Sequence, residues 1–293
     1  MSGLRIEGAI DMHCHFGPDC VGGPADPQSA PGLSAIAAAR EARDSGHRAI
    51  VLKSHSFASP AVAAHIAEAT PGIQVFGGIC TDQPSGGLNP DAVEAALRMG
   101  ARIVWLPTLH SHQDYLNGLG PRVGIRGEGI GLLDDDGDVL DAVHEIAALV
   151  RRHDAILATG HTTLAEHHLV VRTFAAECEV MVTHAGEHLA GPHLTPCQCR
   201  ELADMGATIE LTALSCNHTL GPEAKSIPEM LAMIREIGAE RCTLASDYGW
   251  SDAIQHPAPA LGDFLERLWD AGLSEAELSL MARDKPAQLL RLD

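Results

Sequence analysis

Residues 155–184 read AILATGHTTLAEHHLVVRTFAAECEVMVTH, and the fold turns on how this stretch divides. Residues 155–159 form a short apolar run, 163–176 place Leu, Val, Ala and Phe at helical spacing, and 179–183 return to an apolar, β-branched run. A strand, a helix and a second strand in so short a span make a unit whose two strands run parallel. Each strand also closes on a histidine, His161 and His184.

The same alternation runs along the whole chain. Strands are predicted at 7–13, 48–53, 73–80, 102–106, 155–159, 179–183, 207–212 and 241–246. Helices are predicted near 33–45, 59–69, 90–99, 138–152, 163–176, 195–205, 226–237, 260–271 and 275–290. Asn89, Thr195 and Ser226 each precede a proline at a helix start, the pairing of an N-cap with a residue that needs no N–H there. Eight βα units without a break in composition predict an α/β fold, a single (β/α)8 TIM barrel spanning residues 1–293. A doubly wound sheet is the alternative. The one long connection, 107–137, is expected to lie over the barrel mouth as a lid.

Composition narrows the partners. Against 39 Asp+Glu there are 20 Lys+Arg, a net charge of −19, which excludes nucleic acid and anionic membranes because both require a basic footprint. No basic-then-apolar leader and no 18-residue apolar run is visible, so a cytoplasmic protein is expected. The eight cysteines (14, 20, 80, 178, 197, 199, 216, 242) read as reduced thiols, and Cys197-Gln198-Cys199 has the wrong spacing for a zinc knuckle. The expected partner is a small-molecule substrate, and a homo-oligomer is compatible with the sequence.

In a parallel barrel the C-terminal strand ends converge on one mouth. There the chain carries His13 and His15 (first strand), Lys53 and His55 (second), Thr108 and His110 (fourth), His161 (fifth), His184 (sixth), Glu210 and Thr212 (seventh) and Asp247 (eighth). His13 and His15 are two apart on a strand and project to one side, as a metal requires of an imidazole pair. Asp247 follows an apolar run where an unpaired carboxylate is costly, so it is a metal ligand, a base for the attacking water, or both in turn. Lys53, one of only three lysines, is a carbamylated bridge between metals, a cation for a substrate carboxylate or oxyanion, or half of an ion pair. Glu210, between Ile209 and Leu211, should face the interior and pair with Lys53 or a histidine. Arg122 and Arg126 of the long connection, which also carries His110, could clamp an anionic group.

DMHCH at 11–15, single histidines ending the fifth and sixth strands, and an aspartate ending the eighth resemble the amidohydrolase superfamily of metal-dependent hydrolases over residues 9–247. The resemblance implies that His13 and His15 bind a divalent metal, zinc first and manganese second, and that Asp247 binds metal and moves the proton of the attacking water. It implies that His161 and His184 hold a second metal, or divide ligand and transition-state roles. The family's usual bridging Lys or Glu on the fourth strand is missing from RIVWLPT, so either Lys53 replaces it or a single ion is bound. His184-Ala185-Gly186-Glu187 is similar to an adenosine deaminase motif but lies on the sixth strand rather than the fifth, which argues for Glu187 near the mouth and not for a deaminase. An inverted zinc-protease reading of 184–188 fails on Gly186, and Asp134–Asp138 lacks the spacing of a calcium loop and reads as a solvated turn.

The activity so implied is hydrolysis of a small amide, lactone or ester, with a carboxylate on the substrate. Phosphotriesterase- or lactonase-like chemistry, non-hydrolytic decarboxylation, or a catalytically silent metal-binding protein are the alternatives.

Overall fold

The computed structural model describes residue 4, residues 6–19 and residues 32–292. Cys20 lies outside them. The other seven cysteines are free thiols.

Eight strands form one sheet in sequence order, and every consecutive pair is parallel: β1 (Ile10–His15), β2 (Ala49–Lys53), β3 (Gln74–Cys80), β4 (Ala101–Trp105), β5 (Ile156–Ala158), β6 (Glu179–Val182), β7 (Thr208–Thr212) and β8 (Cys242–Ala245). The helices that return the chain are α1 (Ala35–Asp44), α2 (Pro60–Ala69), α3 (Pro90–Arg98), α6 (Asp141–Arg152), α7 (Leu164–Phe174), α8 (Pro196–Asp204), α9 (Ile227–Ile237) and α10 (Pro257–Asp270), with short α4 (His112–Leu116) and α5 (Leu119–Arg122) inside the long connection. The fold is the (β/α)8 barrel. Asn89, Thr195 and Ser226 cap their helices as expected, the last two in reciprocal capping boxes with Gln198 and Glu229.

Two expectations change in detail. The final helix is not continuous: α11 (Glu275–Ser279) and α12 (Lys285–Leu290) flank a π turn at Leu280–Asp284. Pro286 has no N–H for the carbonyl four residues back, and the ladder widens ahead of it. The long connection, expected as a lid and with no helix predicted in it, holds α4 and α5, while Asp134 folds its turn by accepting the Asp136 and Asp138 amides.

Strand alternation divides the core. Ile10, Met12, Ala49, Val51, Ile103, Trp105, Ile156, Ala158 and Met181 fill the barrel interior, while Ile50, Leu52, Val104, Leu157, Val180 and Val182 pack against the helices. Where β8 meets β1 the barrel is closed by Asp247 N–H to His13 C=O (2.9 Å) and His15 N–H to Tyr248 C=O (2.9 Å). Asp11 completes the seam, its Oδ1 accepting the Ser246 amide at 3.0 Å. Among the described residues no helix is long and apolar enough to cross a membrane.

Candidate metal centre

Strict alternation from Ile10 and Met12 would send His13 and His15 outward to the helices. A bulge prevents this: Asp11 pairs with Ile50 but Cys14 with Leu52, so β1 spends one extra residue there. Cys14 then packs among the outer residues, and both imidazoles turn into the barrel mouth. Asp11 stabilises the bulge by accepting the His13 amide at 3.1 Å. His161 and His184 also break alternation, each at a left-handed residue: Gly160 (φ +67°) precedes the first, and the second has φ +25° itself. A side chain at Gly160 would run into the Leu106 and Pro107 carbonyls, so glycine is the residue that allows His161 its place. Asp247, at φ +64°, is turned in the same way. Beside it, Gly249 (φ +112°) passes so close to the His15 carbonyl that no Cβ fits.

His13 Nε2 and His15 Nε2 stand 3.0 and 3.1 Å from Asp247 Oδ1. Lys53 Nζ lies 2.9 Å from His13 Nε2 and 5.6 Å over the Trp105 ring. Across the mouth His184 Nε2 and His161 Nε2 are 2.7 Å apart. His55 stacks on His15 with ring centres 5.0 Å apart, and His13 is 5.8 Å from His184. All are buried.

Carboxylates stand behind these rings. Glu210 Oε2 accepts His13 Nδ1–H and the His184 amide, both at 2.9 Å. Asp114 Oδ2 is 2.6 Å from His161 Nδ1, and its Oδ1 takes the Gly191 amide. Asp82 accepts the Thr108 and His110 amides and the Thr108 hydroxyl, with His55 Nδ1 at 3.3 Å.

The donor set fits a divalent cation. With Nδ1–H given to Glu210, His13 presents a lone pair at Nε2, and that lone pair faces a carboxylate oxygen at hydrogen-bond distance, an arrangement that needs positive charge between the two. Burial and the Lys53 charge oppose ionisation of His13, yet Asp247 and Glu210 outweigh them and raise it to about 9, so that without an ion a proton on Nε2 supplies the positive charge facing Asp247, and an ion would take that proton's place. Burial likewise works against the Asp247 carboxylate, but His13 and the bonds from both histidines keep it well below the usual range. Burial, assisted by nearby cationic groups, pushes His15 and His184 down to about 3 and lowers His161, which leaves three neutral imidazoles suited to ligation.

The expected residues therefore divide. His13, His15, Lys53, His55, His161, His184, Glu210 and Asp247 come together, and Glu187 joins them on the cavity wall. Glu187 accepts from the His188 and Leu189 amides and the Ser215 hydroxyl. Burial works against its ionisation, but the His188 imidazole 2.9 Å away, His184 and the Leu189 amide outweigh it and lower its pKa. His110 is buried behind Asp82, its Nδ1 3.6 Å away, and does not line the cavity. Arg122 and Arg126 are exposed and do not line it either. The clamp expected of them is not formed, because α5 turns the apolar Leu119 and the following Val123 toward the mouth.

Asp82 and Asp114 were not anticipated. Asp82 lies just past β3 in a Thr-Asp step at the mouth level, a legible signal; Asp114 reaches His161 from 47 positions away in the long connection, and no local pattern marks it.

A family model described as a family of unknown function, DUF6282, matches residues 8–210. No curated protein matches the chain in sequence. Solved structures similar to it include an amidohydrolase from Pseudomonas aeruginosa (11% identity, 97% of this chain and 96% of that one, TM-score 0.61). The probable dipeptidase PvdM from Pseudomonas aeruginosa is similar over 98% and 95% of the two chains (10% identity, TM-score 0.64). So is 2,6-dihydroxybenzoate decarboxylase from Rhizobium, over 99% and 100% (11% identity, TM-score 0.57). At such identities the likeness is one of fold, the (β/α)8 barrel, and it runs nearly end to end.

Proposed function

The chain belongs to the family of unknown function DUF6282, and from the donor set at its barrel mouth we propose that it is a metal-dependent hydrolase acting on a small amide, lactone or ester. The observation that carries this reading is the convergence of His13 Nε2, His15 Nε2 and Asp247 Oδ1, from the first and last strands, on one point. His13, His15 and Asp247 would hold a divalent ion, zinc first and manganese second. His161 and His184 either hold a second ion or share the work of orienting the substrate. An ion held there supplies Lewis acidity, polarising the scissile bond and lowering the pKa of a water from 15.7 to about 7.

The chain's own residues do the rest. Asp247 accepts the proton of the attacking water and returns it to the leaving group. Glu210 fixes the tautomer of His13, and Asp114 orients His161. Lys53 would help hold a second ion as a carbamate or stabilise the developing oxyanion, and His55, held by Thr108 Oγ1 at 2.7 Å, faces the cavity that would take the substrate.

Metal analysis of the purified protein tests this. At least one divalent ion per chain is expected, with His13→Ala and His15→Ala each substoichiometric and inactive toward a panel of amides, lactones, esters and phosphoesters. Wild-type metal content in both variants would sink the proposal. Intact mass reports on Lys53, since the carbamate adds one carbon dioxide.

A further inference from the structure

Above the imidazole floor the mouth cavity is walled by Leu109, Leu119, Val123, Leu189, Leu214 and Trp250, and its volume is about 170 Å³. That is close to the roughly 150 Å³ of an apolar cavity known to accept benzene. Among the described residues lining it, Lys53 is the only cation, and it sits at the floor with Nζ 2.9 Å from His13. Glu187 is the charged group on the wall, its carboxylate fixed by two backbone amides, the Ser215 hydroxyl and the His188 imidazole, whose Nδ1 is 2.9 Å away. A carboxylate on the substrate's far end would leave water for apolar side chains and an anion, with no guanidinium among the described lining residues to receive it, since Arg122 and Arg126 are exposed outside the cavity.

We infer that the substrate is a compact acyl compound whose non-reacting part is uncharged and apolar, about one six-membered ring or branched chain in size, packed between α5 and Trp250. This rests on the metal-dependent hydrolase reading and departs from the carboxylated substrate suggested by the sequence. Trp250 is held for this contact by Nε1–H donation to the Asp247 carbonyl at 3.2 Å, which ties the wall to the catalytic strand end. The long connection supplies Leu109, Leu119 and Val123 to the wall, the last two at the start of α5 and just beyond it.

The test uses three hydroxamates sharing one metal-binding head: acetohydroxamate, benzohydroxamate and the monohydroxamate of succinic acid. Binding to the metal-loaded protein is measured by calorimetry, independent of turnover. Benzohydroxamate is expected to bind at least about tenfold more tightly than either other probe, the gain from moving an apolar ring out of water. Leu119→Lys is expected to reverse the order of the phenyl and carboxylate tails by placing a cation on the wall. If acetohydroxamate binds but the phenyl tail gains nothing, or the carboxylate tail is preferred in the unaltered protein, the substrate class is wrong and the hydrolase reading stands. If none of the three binds, both fall.

Discussion

Glu210 shows how much one side chain decides at this site. Its Oε2 accepts from His13 Nδ1 and from the His184 backbone, so one carboxylate fixes the tautomer of a proposed ligand on β1 and the backbone turn that aims a second candidate after β6. Burial would protonate it, but the His13 charge and these bonds hold its pKa down and keep it an acceptor at neutral pH. Removing that charge leaves His13 free to place its proton on Nε2, where it blocks ligation. Glu210→Gln is therefore expected to weaken metal affinity by about 10–100-fold, as loss of an outer partner to a ligating histidine does. Competition against a chromophoric chelator measures it; affinity within about twofold of the wild type would refute the role. Little of this was legible beforehand. The flanking Ile209 and Leu211 show that Glu210 faces inward, but which histidine it would meet depends on the closure of the barrel.

At the scale of elements, the sequence was readable wherever local chemistry sets the outcome. All eight strands and the capped helix starts follow from apolar runs, Pro and capping residues. What resisted reading was parity. A sequence shows that His13 and His15 share a face but not which face, because the bulge between Asp11 and Cys14 is a property of pairing with β2. The same holds for His161 and His184, whose inward aim depends on left-handed backbone at Gly160 and His184. The long connection misled for a related reason: its arginines carry the visible chemistry, while two of its leucines and a valine reach the site. Asp11 gives the element-scale prediction, because its Oδ1 holds both the bulge and the β8 seam. Asp11→Ala leaves two buried amides without that acceptor, a cost of about 1–3 kcal/mol each before relaxation. It is expected to lower the urea midpoint and, by loosening the bulge, to reduce bound metal. Asp11→Asn, which keeps an acceptor oxygen, should recover most of both. A destabilised Asp11→Ala protein that retains full metal content would show that the bulge does not depend on this carboxylate.

For the molecule as a whole, the position of the donors on the chain matters as much as their chemistry. His13 and His15 belong to the first strand and Asp247 follows the last, so an ion bound among them fastens the two ends of the sheet across the seam that closes the barrel. That seam is otherwise held by backbone bonds from Asp247 to His13 and from His15 to Tyr248, together with the Asp11 contact to Ser246. Binding to the folded state alone stabilises by about 2.7 kcal/mol at a free ion concentration 100 times Kd. For a chain of this size that corresponds to roughly 4–5 °C in Tm. Chelation is therefore expected to lower Tm by that order, with re-addition of zinc or manganese restoring it. The loss should also be localised. Amide hydrogen exchange should quicken first in residues 11–16 and 244–249, while β3 to β5, whose pairing involves no proposed ligand from the first or last strand, keep their protection. Uniform acceleration over all eight strands would mean that the ion acts on global stability without fastening the seam, and unchanged exchange at 11–16 would remove the metal from β1 altogether.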